Sequence, residues 1–257
     1  MESRITGTTM PVLEIGLEPG ETIVAEPGEM SWMTPNVQMR TGTATAGARG
    51  LWGAVTRALA GGGLFMTEFS APAGRGAVAF AARLPGQIVP VQVAAGAGYM
   101  VHRSGFLCGT QGIELAIGFQ QSLGAGIFGG TGFIMQRVFG AGTAWVELGG
   151  EIVDHDLESG EELLVHPGHV GMFEERVGFD ITTIKGIANA LFGGDGLFLV
   201  RLRGPGRVWL QSLTISGLAQ AIGPYLSHAT TAPAAAPAAA VEGAVAGAVL
   251  NSLFGKR

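Results

Sequence analysis

Two histidines stand three residues apart in His166-Pro167-Gly168-His169, with Asp154, His155 and Asp156 shortly upstream. Imidazoles and carboxylates are the groups that hold zinc or iron, and a metal site needs three or four of them converging. The chain repeats this turn with other residues, as Glu26-Pro27-Gly28-Glu29 and as Arg103-Ser104-Gly105-Phe106. A position that changes from acid to base to imidazole reads as a solvent-facing turn, so no metal ligand is assigned. Gly124-Ala125-Gly126-Ile127-Phe128-Gly129 fits G-x-G-x-x-G. A dinucleotide fingerprint follows a strand and opens a helix, whereas these glycines close a helical stripe and open a strand. Cys108 sits in an apolar run beside Phe106 and Leu107 and reads as a buried thiol. No G-x-S-x-G nucleophile elbow is present. The acids Glu18, Glu21, Glu158, Glu161 and Glu162 gather at turns. Paired carboxylates can do acid–base work, but acids in turns mostly stay solvated. The expectation is therefore no catalytic, cofactor-binding or metal residue, no cofactor, and a protein that is not an enzyme.

The elements that carry these residues repeat three times. Leu17-Glu18-Pro19-Gly20-Glu21 recurs as Leu157-Glu158-Ser159-Gly160-Glu161, with a fainter copy from Ala94 to Thr110. Gly63-Leu64-Phe65-Met66, Gly132-Phe133-Ile134-Met135 and Gly196-Leu197-Phe198-Leu199 open matching strands. Phe65, Ile134 and Phe198 share a position, and Phe69, Val138 and Leu202 follow four residues on, on the same strand face. Glu68, Arg137 and Arg201 point to the other face, toward solvent or a neighbouring subunit. A Gly-x-Gly turn follows (Gly74–Gly76, Gly140–Gly142, Gly204–Gly206), then a strand with Phe80, Trp145 or Trp209 near its end. Before each Gly-Gly pair a spacing of four predicts a short helix, on Leu51, Val55 and Leu59, on Phe119, Leu123 and Ile127, and on Thr183, Ile187 and Leu191. None of the Gly-Gly turns carries the following Lys-Ser or Lys-Thr of a phosphate cradle.

The expected fold is all-β: three tandem β-units, at 5–92, 93–155 and 156–226, with short helices. An Ala/Pro-rich linker, 227–240, leads to an apolar tail helix, 241–257, with Val241, Val245, Val249 and Leu253 on one stripe. Gly243 and Gly247 in this tail form a G-x-x-x-G too short in its apolar span for a membrane dimer. The best internal spanning candidate, Ala116 to Met135, is broken by glycines, two glutamines and a serine.

Composition sets the outer limits. Hydrophobic residues make up 47% and charged residues 14% of 257, against a usual charged share of roughly 25%. Such a surface calls for burial against other subunits. Net charge is −5 and the lysines are Lys185 and Lys256 alone, so phosphate neutralisation is poorly served and no nucleic-acid partner is expected. One cysteine excludes a disulfide framework within the chain. Met1 to Thr6 lacks a basic region with an apolar run behind it, so a cytoplasmic protein is expected.

Several segments taken together resemble a known family: Glu26-Pro27-Gly28-Glu29-Met30, Gly63-Leu64-Phe65, Phe192-Gly193-Gly194-Asp195-Gly196-Leu197-Phe198, and the run Arg201-Leu202-Arg203-Gly204-Pro205-Gly206-Arg207-Val208-Trp209-Leu210-Gln211-Ser212-Leu213. From about Ile5 to Leu226 the chain resembles the altered-inheritance-of-mitochondria protein 24 family. That resemblance implies a fold similar to the tryptophan RNA-binding attenuator protein, with three tandem β-sandwich units of double-stranded β-helix type per chain and three chains closing a nine-unit ring. Mitochondrial relatives are linked to inner-membrane organisation and respiratory-complex assembly. No catalytic residues carry over, and the attenuator's basic RNA-contacting residues are not evident. The expected partners are further copies of the chain in a homotrimer, an unknown protein partner, and a membrane or the ring itself for the tail. A ring scaffold or adaptor ranks first. A ring that binds a small molecule between adjacent β-units ranks second, and a cupin-type metal enzyme third.

Overall fold

The computed structural model describes residues 1–43, 65–121, 133–184 and 197–226. The linker, the tail with Gly243 and Gly247, the Gly124–Gly129 fingerprint and most of the three helical stripes lie outside these residues. Two stripe positions do not. Phe119 and Thr183 lie in strands, where a helix was expected. Phe119 is held there by packing against Phe133 and Phe179, which overrides the four-residue spacing. The chain divides into two units, Met1–Gly217 and Leu218–Arg257.

The described residues form strands and one α-helix, with every strand pair antiparallel. The first stretch holds β1 (Glu2–Thr6), β2 (Val12–Leu17), β3 (Thr22–Ala25), β4 (Trp32–Met33), β5 (Gln38–Thr43), β6 (Phe65–Ser70) and β7 (Gly76–Ala81). The second holds β8 (Gly86–Val93), β9 (Tyr99–His102), β10 (Phe106–Thr110), β11 (Ile113–Gln121), β12 (Phe133–Gly140) and β13 (Gly142–Gly149). The third holds β14 (Ile152–Leu157), β15 (Glu162–Val165), β16 (Val170–Glu174), β17 (Gly178–Ile184), β18 (Leu197–Arg203) and β19 (Gly206–Gln211).

One connectivity recurs through these stretches. The order β2-β7-β4 is matched by β8-β13-β10 and β14-β19-β16, and β5-β6-β3 is matched by β11-β12-β9 and β17-β18-β15. Successive stretches share sheets. β3 pairs with β10, and β9 pairs with β16, which builds two six-stranded sheets. The first stretch adds β1 outside β2, and the third ends in the three-stranded sheet β15-β18-β17. Grouped by pairing, the periods run 12–81, 86–149 and 152–211. The boundaries expected at 92–93 and 155–156 fall inside β8 and β14, because the turn motif that marks each repeat comes after its first strand.

The repeated local contacts explain the repeated sequence. The N–H of Glu21 bonds the Glu18 carbonyl, and the Glu21 carboxylate accepts back from the Glu18 N–H at 2.9 Å; Glu161 and Glu158 do the same at 2.7 Å. Gly20 and Gly160 sit at φ near 90°, which favours glycine. A second device closes the start of the last strand of each repeat. The hydroxyls of Thr34 and Thr110 accept from the N–H of Ala77 and Thr143, and the Glu174 carboxylate accepts from that of Arg207.

Apolar faces turn inward as the strand period requires. Phe69, Val138 and Leu202 are buried, while Glu68, Arg137 and Arg201 on the opposite face are half-buried. Three cores result, and each mixes stretches. Trp145 and Cys108 complete the core of Leu13, Ile15 and Phe80; Val24 and Met66 join that of Phe106 and Val146; Phe133 and Met135 join that of Phe173 and Val208. The repeats are therefore parts of one packed body. After β19 comes α1 (Ile215–Leu226), a helix not anticipated in the sequence; the Thr214 hydroxyl accepts from the Gly217 N–H at 2.9 Å as its N-terminal cap.

Candidate functional site: repeat junctions and open edges

His166 and His169 lie together, with ring centroids 5.8 Å apart. His169 donates from Nδ1 to the Gln211 carbonyl at 2.8 Å. Burial lowers the pKa of His166, and the neighbouring His169 lowers it further. Asp154, His155 and Asp156 lie on the edge strand β14, where both aspartates pair with Arg207. Among the described residues, no three His, Cys, Asp or Glu side chains form a metal set. Cys108 is fully buried, and burial pushes its thiol pKa well up. Of the turn acids, Glu21 and Glu161 close their own turns, and Glu162 pairs with Arg203 and Arg201.

The densest polar cluster lies where the first repeat meets the second, and the sequence motifs do not mark it. Strand register puts Ala25, Val101 and Val165 in equivalent places, so the turn that follows begins at Glu26, His102 and His166. Matching backbone bonds fix this: Glu29 to Glu26, Gly105 to His102 and His169 to His166. The middle turn is thus His102-Arg103-Ser104-Gly105, one residue earlier than the sequence match placed it. The drift arose because the middle turn has no Pro-Gly pair to anchor it.

Arg83 joins the elements of this cluster. Its guanidinium donates to Glu29 at 2.9 Å, to Glu147 at 3.4 Å and to the Ser104 carbonyl. The Glu147 carboxylate also accepts from the backbone N–H groups of Arg83 and Leu84, at 2.8 and 3.0 Å. Glu26 accepts from Gln136 at 2.7 Å. Burial raises the pKa of Glu26, against the pull of Gln136 and the arginines, and pushes Glu29 up to about 7. His102 donates from Nε2 to the Glu147 carbonyl, and burial pushes its pKa down to about 4, so it is neutral. A cavity of about 210 Å³ opens beside Arg83, His102, Glu147 and Gln211.

The next junction reuses the positions with other groups. Gln211 stands where Glu147 stands in the preceding repeat, and Gly149 where Arg83 stands. The Gln211 side chain accepts from the Gly149 N–H and donates to the Gly168 carbonyl, both at 3.0 Å. Each junction is thus clasped by a side chain of the later repeat reaching the end of the earlier one. A groove of about 620 Å³ also runs here, past Gln92, Gly98, Tyr99, Glu174 and Arg176.

The ends of the series lack this closure. Among the described residues, β4 has β7 on one side and nothing on the other, and β15 has only β18. Register makes Trp32 the counterpart of Cys108 and Met172, which are 0% exposed, yet Trp32 is 50% exposed. Leu164 is the counterpart of Val24; Val24 is 1% exposed and Leu164 is 49% exposed.

Known proteins share this chain over nearly its full length. A Streptococcus pyogenes serotype M6 protein, described as uncharacterized, is 28% identical over 221 residues, covering 84% of this chain and 87% of that one. The X-ray crystal structure of a Streptococcus pyogenes protein matches with a TM-score of 0.68 and 26% identity, covering 87% of this chain and 99% of that one. The model of the family described as Mitochondrial biogenesis AIM24 matches residues 3–213. That span holds all three repeats and both junctions, and the chain belongs to the Mitochondrial biogenesis AIM24 family.

Proposed function

We propose that this protein is a non-enzymatic scaffold or adaptor that closes head to tail with further copies of itself into a ring. The observation that carries the reading is the pair of edges left open at β4 and β15, each the counterpart of an edge closed inside the chain. Open edges invite pairing, and a head-to-tail contact that repeats generates a ring when its rotation closes. The internal junctions also supply the register. Met172 faces Val101, Phe173 faces Met100 and Glu174 faces Tyr99. By equivalence, Trp32 faces the Val165 of another copy, Met33 faces Leu164 and Thr34 faces Leu163. Three chains per ring follows from the family resemblance.

Paired cysteines test the reading. The double variant Met33→Cys with Leu164→Cys gives oxidised species of two and three chains and none larger, while either single variant gives none. A mass of one chain, stable on dilution, overturns it. The groove at the second junction favours a second reading, in which the ring binds a small molecule between repeats; ligand-dependent thermal shifts separate it from a bare scaffold. The tail, 241–257, is assigned to docking on the ring or on a membrane, and a cytoplasmic setting agrees with a lone buried cysteine. Among the described residues no helix is long and apolar enough to cross a membrane.

A further inference from the structure

Three carboxylates of the first junction compete for few donors. Glu147 is satisfied by two backbone N–H groups and by Arg83. Glu26 holds the Gln136 amide, and the other end of that buried amide, Oε1, meets no hydrogen-bond donor. Glu29 has one contact of its own, a share of the Arg83 guanidinium, and its side chain is 9% exposed. Its surroundings add negative charge: Glu26 on its own turn and Glu147 on β13, offset by Arg83. Cys108 on β10 also lies within its field. Arg103 and His102, on the turn between β9 and β10, face Glu26 and Arg83.

We propose that this junction is proton-linked: the Glu29 carboxyl takes up a proton as the turn Glu26–Glu29 seats against the second repeat, so the turn is held more tightly in mildly acid than in alkaline solution. Burial supplies the cause, since an ionised Glu29 at this depth has only a share of the Arg83 guanidinium as counter-charge, whereas a neutral one leaves that guanidinium to Glu147. Burial also raises Glu26, so Glu29→Gln is needed to tell the two carboxyls apart; the other neighbours titrate elsewhere. His102 titrates near 4 and the Cys108 thiol well above its ordinary value. A carboxyl raised to about 7 when folded leaves the seating intact below the unfolded carboxyl range of about 4.3. That contribution is lost as pH rises from there through the folded value. The contact lies within one chain, so the inference stands apart from ring closure.

Two measurements on the full-length protein decide it. Carboxyl ¹³C NMR of glutamate-labelled protein shows one glutamate titrating near neutrality, and Glu29→Gln removes that resonance. Hydrogen exchange over residues 26–31, corrected for intrinsic rates, loses protection between about pH 5 and pH 8; Glu29→Gln keeps the acid level throughout. If no glutamate titrates above about pH 6, or if wild type and variant lose protection in parallel, the proposal fails. Should Glu29→Gln not fold, Glu26→Gln decides: a near-neutral titration that persists in it supports the proposal, and one that vanishes overturns it.

Discussion

Glu147 is the residue on which most of the first junction converges. Its carboxylate serves two backbone N–H groups and Arg83, and the side chain is 6% exposed. Removing it leaves buried donors unmet, a loss of about 1–3 kcal/mol for each buried group. Glu147→Ala therefore lowers stability by about 3 kcal/mol in urea unfolding, and Glu18→Ala, at an exposed turn, by well under 1 kcal/mol. Gln211→Ala falls between them, since it strips the Gly149 N–H and the Gly168 carbonyl of one partner each. The sequence pointed at His166, His169, Asp154 and Cys108 because those residue types advertise chemistry. Glu147 advertised nothing beyond being an acid in the apolar run Ala144-Trp145-Val146-Glu147-Leu148. That break in the pattern was the available signal: an acid on a buried strand needs partners, and the partners lie more than sixty residues upstream.

At the level of elements, the hairpin into β13 shows how tightly the Gly-x-Gly turns are drawn. Gly142 has φ 145°, and a Cβ there would lie 2.0 Å from the Thr110 hydroxyl. That hydroxyl is the one that caps the Thr143 N–H. Gly142→Ala thus strains the backbone and displaces the cap together, and costs about 2–4 kcal/mol in thermal or urea unfolding. Thr110→Ala loses the cap alone, about 1 kcal/mol, and Thr110→Ser restores most of it. Glycine spacing and strand faces made the triplication readable, because turns and alternation are local. How strands group into sheets was not readable. The bonds from β3 to β10 and from β9 to β16 join residues far apart in sequence and leave no period behind. The drift of one residue in the middle turn has the same origin. Sequence similarity aligns types, whereas register aligns hydrogen bonds.

For the whole molecule, the exposed Leu164 separates folding from assembly. It already faces water in the single chain, so Leu164→Asp leaves the melting temperature of the dilute monomer nearly unchanged. In the proposed ring it faces Met33 of another copy, where a buried unpaired carboxylate is strongly unfavourable. Light scattering on the variant gives one chain's mass at concentrations where wild type gives three. Deleting residues 229–257 leaves the wild-type mass and melting temperature nearly unaltered. Aggregation or dissociation of that truncated protein assigns the tail to the core.

In the proposed ring, the edge strand β15 would make this protein an optical gauge of its own concentration. The partners of β3 and β9 are on the same chain, so their pairing is indifferent to dilution. In that ring the partner of β15 comes from another copy, and mass action governs that contact alone. Trp32 sits on the complementary edge, half in water, while Trp145 is buried in the chain core. Dilution of a closed ring therefore moves the emission of Trp32 to longer wavelength while Trp145 holds steady. The concentration at which this happens reads out the combined strength of the ring's equivalent strand pairings, isolated from the folding energy of everything else.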